Sequence, residues 1–252
     1  MRCAVIISGQ PRNAKETYEN IYRNIIGPNN ADVFLHSWID PNMFGKCYYS
    51  EWLLNTHANI PPSCSPIESN IADTIINLYQ PKKFQFEEPK SFSYNRILDT
   101  KKMPGLNPQN YFGQFYSVYK SNELKNLYEK ENNFIYDIVI RIRFGMVVDS
   151  GPIYLHKYYS EHIMFVPVSF CGFDARCNPF INDISFCDHW AIGSSSNMNI
   201  YCDVVNQAEN IVMHYPCHLQ GEDVLGYWVR VLNKINIALI DIKYRINTTI
   251  NI

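Results

Sequence analysis

The chain has 252 residues, of which 46% are hydrophobic and 18% are charged, so the composition excludes a disordered protein and suits a chain with a sizeable core. Its 22 basic and 24 acidic residues leave a net charge of −2, which excludes the basic surplus expected of a nucleic-acid-binding domain. The eight cysteines do not require disulfide bonds in a chain of this length, and we expect a reducing compartment.

The first 38 residues read as a β-α-β unit. An apolar strand over residues 2–8 is followed by a turn at 9–12, where glycine and proline interrupt the pattern. Asn13 is the predicted cap of a helix that reaches residue 26, and residues 31–38 form the second strand. This order implies a parallel sheet with a right-handed crossover.

The rest of the chain continues the alternation of strands and helices. We expect helices over residues 67–78, 111–132, 197–210 (with Asn197 as the cap) and 222–232, strands over 83–86, 136–143, 163–167, 189–193 and 235–240, and long loops over 39–66 and 87–109. No repeat or linker divides the chain, so the sequence predicts a single α/β domain over residues 1–252.

Two features bear on where the chain resides. No apolar run approaches the roughly 20 residues that span a bilayer. The apolar segment 4–7 is too short for a secretion signal. We therefore expect a cytoplasmic protein without a membrane span.

The strand over residues 136–143 ends in two arginines. Arg141 and Arg143 are two residues apart, so on one strand they point to the same face. Two guanidinium groups at the carboxyl end of a strand suit a diphosphate. The alternatives are an edge strand with a solvated polar face, or an arginine paired with Asp137 or Asp149.

Five short motifs occur in a fixed order along residues 4–245. They are ISGQPR over 7–12, ADVFLHSW over 31–38, the helix QFYSVYKSNEL over 114–124 with the strand YDIVIRIR over 136–143, DHWAIG over 188–193 with Met198 and Tyr201, and His218 with Glu222 and Asp223. This ordered set resembles the GT-A-type glycosyltransferase-like proteins of giant viruses and bacterial polysaccharide clusters. For a viral member, the compartment would be the host cytoplasm or the virion.

The resemblance implies a GT-A-like, Rossmann-like fold with a mixed, mostly parallel sheet flanked by helices. It implies transfer of a sugar from a UDP- or GDP-sugar to a glycan or other acceptor. The donor would lie across the carboxyl ends of the first strands. A second interpretation is a catalytically silent protein of the same fold that binds a nucleotide-sugar or a partner. A third, another nucleotide-binding enzyme, is disfavoured because the P-loop, the nucleophile elbow and the dinucleotide fingerprint are missing.

The turn after the first strand is the first candidate ligand site. Ser8, Gly9, Gln10 and Arg12 lie between a strand and a helix, where backbone N–H groups and a guanidinium can hold phosphate. The alternative is an ordinary strand–helix turn.

Carboxylates late in the chain are the catalytic candidates that the resemblance implies. Asp188, Glu222 and Asp223 would meet the donor or acceptor sugar, and an inverting enzyme needs a general base there. Glu222 and Asp223 also fit simple capping of a helix N-terminus. His218 is a weaker candidate beside them.

The polar residues of the second strand and the long helix are further candidates. Lys120 and Gln114 fit a donor site, although Lys120 also fits a solvated helix face. Asp32 and His36 share one face of the second strand and fit contacts to a base or ribose.

The position of the expected metal ligand is the main departure from the resemblance. In relatives of this kind the strand reads Arg-x-Arg-x-Asp, and its aspartate binds Mn or Mg. Here Gly145 stands at that position, and it has no side-chain oxygen for a hard cation. The next carboxylate, Asp149, becomes the candidate ligand, and the requirement for Mn or Mg stays open.

Overall fold

The structure is a computed structural model that describes residues 1–47, 65–102, 107–170, 173–174 and 184–246. The strands are β1 (Cys3–Gly9), β2 (Asp32–Trp38), β3 (Lys83–Glu87), β4 (Ile138–Arg143), β5 (Met146–Val148), β6 (Ile163–Pro167), β7 (Ser169–Phe170), β8 (Phe173–Asp174), β9 (Ala191–Gly193), β10 (Asn236–Ile240) and β11 (Tyr244–Ile246).

The α-helices are α1 (Ala14–Ile21), α2 (Gly27–Asn29), α3 (Ile71–Tyr79), α4 (Leu98–Lys101), α5 (Pro108–Glu131), α6 (Ser195–Cys202), α7 (Ala208–His214) and α8 (Gly221–Gly226). Two π-helical segments, Tyr22–Ile26 and Tyr227–Leu232, continue α1 and α8. Short 3-10 turns cover Pro41–Met43, Leu155–Tyr158 and Asp203–Asn206. Within the described ranges, none of these helices combines the length and the apolar content needed to cross a membrane.

The central sheet has seven strands in the order β10-β6-β9-β4-β1-β2-β3. Strand β1 runs parallel to β2 and β4, β2 runs parallel to β3, and β10 runs parallel to β6. Only β9 is antiparallel to its neighbours within this sheet. The predicted α/β class, with a mixed, mostly parallel sheet flanked by helices, is confirmed.

Both faces of the sheet are buried, which explains the continuous apolar runs of its central strands. On one face Val5, Ile7 and Ile140 pack with α1 and α3. On the other face Ile6 and Val139 pack with α5, α6 and α8. Alternate side chains of β1 therefore pack into two core layers, one on each face of the sheet, and neither face is solvated.

The long helix α5 covers the strands that carry the first motifs. Asn107 caps it by accepting a hydrogen bond from the backbone N–H of Gln109 at 3.0 Å, and Pro108 occupies its first turn. The helix thus begins three residues before the predicted start at residue 111. It packs across β1 and β2, so its amino-terminal half lies over their carboxyl ends.

Several predicted boundaries were wrong. The helix predicted over 67–78 begins at Ile71, and a short helix, α4, lies inside the predicted loop 87–109. The helix predicted over 197–210 is α6 and α7 separated by a 3-10 turn. Its cap is Ser194, which accepts from the N–H of Asn197. Residues 48–64 of the predicted loop 39–66 lie outside the described residues, and the single domain over 1–252 stays a prediction.

Candidate active site

A row of polar side chains crosses the carboxyl ends of β4, β1 and β2. Ser8 is in register with His36 on one side and with Arg143 on the other. These three residues belong to the face that α5 covers, because they alternate with the core residues of the opposite face. The carboxyl ends of parallel strands are where open α/β sheets bind ligands.

The first turn is tied to its neighbours through the backbone of Gly9. Its N–H donates to Ser117 Oγ of α5 at 2.8 Å, and its carbonyl oxygen accepts from Ser37 Oγ at 2.9 Å. Ser8 is buried, and its Oγ accepts from Arg141 at 3.3 Å. The polar groups of Ser8 and Gly9 thus bond to protein, and their predicted ligand roles stay predictions.

Ser117 also connects this turn to a buried histidine. Its Oγ lies 2.8 Å from His36 Nδ1, and His36 Nε2 lies 3.2 Å from Glu87 Oε1. Burial lowers the pKa of His36 to about 4, so the ring is neutral at pH 7 and has one N–H. Because the ionised Glu87 carboxylate can only accept, the ring N–H lies on Nε2 and donates to Glu87. Nδ1 then accepts from the Ser117 hydroxyl, which also lies 3.4 Å from the His36 carbonyl oxygen. Sequence reasoning missed both residues: Ser117 belongs to the motif over residues 114–124 but was not singled out in it, and Glu87 lies outside the motifs.

The rest of the first turn packs against the strand end of β4. Arg12 donates to Gln10 Oε1 from Nε at 2.8 Å and from Nη2 at 2.5 Å. A Cβ atom at Gly145 would lie 2.8 Å from the carbonyl oxygen of Arg12. The two predicted phosphate-binding segments therefore meet at this point.

The two arginines of β4 differ in their surroundings. Arg141 is 1% exposed and donates to the carbonyl oxygens of Asp188 and His189, with 2.9 Å to the latter. It therefore holds the segment before β9, and its predicted contact with a diphosphate stays a prediction. Arg143 is half-buried, and no described residue forms a hydrogen bond or ion pair with its guanidinium group.

The alternative pairings considered for these arginines do not occur in the described structure. Asp137 accepts from the backbone N–H of Arg2 at 2.6 Å, and Asp149 lies 3.6 Å from Arg245 Nε. Arg143 is thus a cation at a strand end that neither carboxylate neutralises.

Asp188 is a buried carboxylate held from two sides. It is 6% exposed, and Gln114 Nε2 of α5 donates to its Oδ2. Its carboxylate fills the space in which a side chain at Gly221 would stand. Neither contact is signalled by sequence spacing, although Gln114 and Asp188 both belong to the motifs of the sequence.

The charges around Asp188 keep it ionised. Burial raises its pKa, but the charge that His189 carries when protonated, then the charges of Arg143 and Arg141, and the hydrogen bond from Gln114 outweigh burial and lower the pKa below its usual value. Burial also lowers the pKa of His189 to about 3, so His189 is neutral at pH 7. Arg143 and Arg141 are therefore the cations that stabilise the Asp188 carboxylate at neutral pH.

Glu222 has the opposite shift. It is half-buried in the first turn of α8, and burial, followed by the negative charge of Asp188, raises its pKa to about 8. Arg143 acts in the other direction. Burial and the charges of Glu222 and Asp188 also raise the pKa of Tyr111. Two carboxyl groups whose pKa values are pushed apart are typical of acid–base chemistry.

Three other candidates, Asp223, His218 and Lys120, contact side chains of the protein. Asp223 is 1% exposed, accepts from Ser185 Oγ and lies 3.5 Å from His218 Nδ1. It therefore joins the segments around residues 185 and 218, and it does not cap α8, whose cap position is Gln220. Lys120 is ion-paired with Glu123 on the same helix. The predicted ligand and catalytic roles of Asp223 and Lys120 stay predictions.

Asp32 and His36 share a face of β2 but lie at opposite ends of it, and their predicted contacts with a base or ribose stay predictions. Asp32 begins β2 at the amino edge of the sheet, whereas His36 lies near the carboxyl end of the same strand. Asp32 accepts from Tyr136 Oη at 2.6 Å and pairs with Lys82 at 3.4 Å. It therefore lies at the edge opposite to Asp188 and Arg143.

The residues that the structure describes do not fit a Mn or Mg site. Gly145 has φ +77 and packs against the Arg12 carbonyl, so no carboxylate fits at its position. Asp149 is 43% exposed and pairs with Arg245. In the part of the chain that the structure describes, no group of three His, Cys, Asp or Glu side chains has the arrangement of a metal site. The metal role predicted for Asp149 thus lacks companion ligands there.

Comparisons with known proteins find similar solved structures. No protein-family model matches the chain, and no curated protein is significantly similar to it. The apo form of the glycosyltransferase GlyE of Streptococcus pneumoniae TIGR4 aligns with 94% of this chain at 10% identity and a TM-score of 0.42. The chain spans 45% of the length of that protein. A likeness of this size carries no argument about activity, which has to come from the side chains of the site.

Proposed function

We propose that the chain is a glycosyltransferase that moves a sugar from a UDP- or GDP-sugar to a hydroxyl group of a glycan or other acceptor. The observation that carries this proposal is the position of Arg143. Its guanidinium group has no partner among the described residues, and it influences both Asp188 and Glu222 at the carboxyl end of the sheet. A cation for an anionic leaving group thus adjoins a pair of carboxyls for proton transfer.

Arg143 is the proposed contact for the diphosphate of the donor. A guanidinium group binds two phosphate oxygens at once and is never deprotonated at physiological pH. Held in a half-buried position, it offsets the negative charge that develops as the nucleoside diphosphate leaves. The neighbouring turn of Gly9 to Arg12 lies beside β4 and would close the same side of the site.

Glu222 is the proposed general base. A carboxyl group whose pKa is about 8 is a stronger base than an ordinary glutamate, and it is more accessible than the 6% exposed Asp188. The acceptor oxygen attacks the anomeric carbon while Glu222 takes its proton. The bond from the anomeric carbon to the phosphate oxygen breaks, and its electron pair leaves with the diphosphate.

Asp188 has a supporting role in this mechanism. Because it is ionised and adjacent, its charge keeps Glu222 basic, and Gln114 fixes its orientation. Because the described residues offer no set of ligands that fits Mn or Mg, the steps proposed here use side chains alone. A single displacement of this kind inverts the anomeric configuration, so a product with retained configuration would contradict it.

The test is a titration of the purified chain with UDP-, GDP- and CMP-sugars, with and without Mn, together with an assay of donor hydrolysis. We expect one UDP- or GDP-sugar to bind and to be hydrolysed slowly in both conditions. Absence of binding by every nucleotide-sugar would exclude the proposal.

A catalytically silent nucleotide-sugar-binding protein is the second candidate. Gly145 favours it, because the position at which the resemblance implies a metal-binding aspartate cannot hold one here. Binding of a donor with neither hydrolysis nor transfer to any acceptor would select this candidate over the enzyme.

A further inference from the structure

A second cleft opens at the amino edge of the sheet. Its volume is about 310 Å³, close to the lower end of the range for small-molecule sites, which suits a ligand of one sugar ring rather than a long polymer. The residues that matter for its chemistry are Tyr18, Tyr22, Tyr79, Gln80, Asp32 and Lys82. We call it the tyrosine cleft.

The tyrosine cleft is separate from the candidate active site. It lies beside Asp32 and Val33 at the start of β2, whereas Trp38 ends that strand near the active site. At about 3.3 Å per residue, Asp32 and Trp38 are about 20 Å apart. Val33, Leu78 and Tyr79 of the cleft belong to the face of the sheet that packs with α1 and α3, whereas α5 covers the active-site face, to which the Asp32 side chain points.

Three aromatic rings form the wall of the cleft. The centroid of Tyr18 lies 5.8 Å from that of Tyr22 and 5.1 Å from that of Tyr79. Tyr79 is buried, and its hydroxyl donates to the carbonyl oxygen of Ala14 at 3.0 Å, so its orientation is fixed. Tyr22 is 47% exposed, which leaves a ring at the open side of the cleft.

The backbone around these rings is irregular. Tyr22 begins the five-residue π-helical segment that continues α1, and such segments are frequent at functional sites. Gln80 ends α3 with φ 44, a left-handed conformation that is uncommon for glutamine and that turns the chain at the rim of the cleft. Both walls of the cleft therefore end in departures from regular helix.

The polar groups of the rim carry no net charge. Lys82 Nζ lies 3.4 Å from Asp32 Oδ1, and Tyr136 donates to Asp32 Oδ2 at 2.6 Å. Gln80 is exposed and adds an amide with both donor and acceptor groups. This rim suits a neutral ligand with several hydroxyl groups rather than an anion or a cation.

We propose that the tyrosine cleft binds one residue of a neutral glycan. A pyranose ring presents C–H groups on its faces and hydroxyl groups around its edge. The exposed ring of Tyr22 supplies a surface for the C–H face, and Gln80 and Lys82 supply hydrogen-bond partners for the hydroxyl groups. As a remote contact for the acceptor glycan, this role rests on the proposed glycosyl transfer, but the binding itself does not require turnover.

The experiment is saturation-transfer NMR on the full chain with the methyl glycosides of glucose, galactose, mannose and N-acetylglucosamine, and with uridine as a probe that carries an aromatic base. We expect at least one glycoside to bind the wild-type chain. Tyr22→Ala should weaken this binding about fivefold, and Tyr22→Phe should preserve it because the ring is retained. Tyr159→Ala is the matched control, since Tyr159 is 46% exposed and lies outside the cleft.

The outcomes separate this inference from the proposed function. Asp188→Asn removes a carboxylate of the active site and should leave glycoside binding unchanged, even where donor turnover is lost. Failure of every nucleotide-sugar to bind would exclude glycosyl transfer and would leave the glycoside measurement valid. Absence of glycoside binding, equal binding by Tyr22→Ala, or binding of uridine alone would overturn the inference.

Discussion

Asp188 and Gly221 are in direct contact, and the contact exists only because residue 221 has no side chain. The Asp188 carboxylate occupies the volume in which a Cβ at position 221 would stand. Glu222 follows immediately, so this packing holds Asp188 beside the first turn of α8 and lets its charge raise the pKa of Glu222. Gly221 thereby sets the distance between the two carboxyl groups that the proposed reaction uses.

Gly221→Ala should therefore separate Asp188 from Glu222. The added methyl group forces the Asp188 side chain aside, and we expect a loss of about 1–3 kcal/mol in the free energy of unfolding together with a large loss of donor turnover. Urea denaturation and donor hydrolysis measure the two effects. Gly113→Ala is the control. Gly113 lies within α5, and a Cβ atom there would contact only Phe92 Cε2, at 3.9 Å. It should keep turnover and gain up to about 1 kcal/mol. Wild-type turnover in Gly221→Ala would show that the contact is dispensable.

The pH profile should report the ionisation of Glu222. A general base acts only when it is deprotonated, so kcat/KM should rise with pH and level off above about 8. Glu222→Gln should abolish this rise along with most of the activity. Asp188→Asn removes a negative charge that raises the Glu222 pKa, so in its residual activity the rise should move to lower pH. A profile that is flat between pH 6 and pH 9 would remove Glu222 from this role.

Protein stability gives an independent check on the same group. The pKa of Glu222 is raised from the ordinary value of 4.5 to about 8, so between these values the folded state binds more protons than the unfolded state. The contribution of Glu222 to the free energy of unfolding must then fall as the pH rises through this window. Glu222→Gln should lack this fall and should gain stability relative to the wild type from pH 5 to pH 8. Urea midpoints across the window provide the measurement, and parallel curves would show that the pKa is not raised.

The sheet was predictable because its strands are nearly continuous apolar runs. Strands β1, β2 and β4 follow the predicted segments within two residues, and the spacing of Arg141 and Arg143 places them on one face. The cap of α6 was not predictable, since residues 194–197 read Ser-Ser-Ser-Asn and each is a competent cap. Only the tertiary position of the helix selects Ser194.

The candidate site was predictable only in part, because its contacts join distant segments. Nothing local distinguishes Arg141 from Arg143. The difference arises from the carbonyl groups of Asp188 and His189, which reach Arg141 alone. Ser117 lies in the middle of a helix and gave no signal, since its partners belong to two strands. The order of the motifs indicated which segments meet, whereas tertiary packing determines which atoms face the candidate active site.

Arg143 should dominate the affinity for the diphosphate. Replacing it with alanine removes charge-assisted hydrogen bonds to the donor, and we expect nucleoside diphosphate binding to weaken about 10- to 100-fold. The affinity of Arg143→Lys should lie between those of the wild type and Arg143→Ala, since lysine keeps the charge without the bidentate geometry. Arg23→Ala is the control, because the Arg23 side chain is 72% exposed and pairs with Glu19. Calorimetric titration with UDP and GDP measures the effect, and unchanged affinity in Arg143→Ala would exclude this contact.

Ser117 should matter through the Gly9 turn that it anchors. Ser117→Ala leaves the Gly9 N–H and His36 Nδ1 without their partner, and we expect a cost of about 1–3 kcal/mol in stability. Nucleotide affinity should also fall, because the turn loses its link to α5. Ser121→Ala is the matched control, since both serines are fully buried on α5 and Ser121 only donates to the Val118 carbonyl of its own helix. Equal effects of the two substitutions on nucleotide affinity would refute the anchoring role.

Substitutions at Gly145 test whether the missing carboxylate can be restored. Its φ of +77 disfavours any residue with a Cβ, and that Cβ would lie 2.8 Å from the Arg12 carbonyl oxygen. Gly151, with φ +85, has the same backbone restriction but no atom within 4 Å of an added Cβ. Gly151→Ala should therefore cost about 1–2 kcal/mol from backbone strain alone, and Gly145→Ala should cost more, because the turn must also move.

Gly145→Asp should follow the alanine variant in stability and should not acquire Mn-dependent donor hydrolysis. A carboxylate inserted there displaces the Arg12 backbone and with it the turn that adjoins the arginines of β4. Urea denaturation of the alanine pair separates strain from overlap, and hydrolysis assays with and without Mn follow the aspartate variant. Stable folding of Gly145→Asp with Mn-dependent turnover would show that the turn yields, and that the absent carboxylate alone limits metal use.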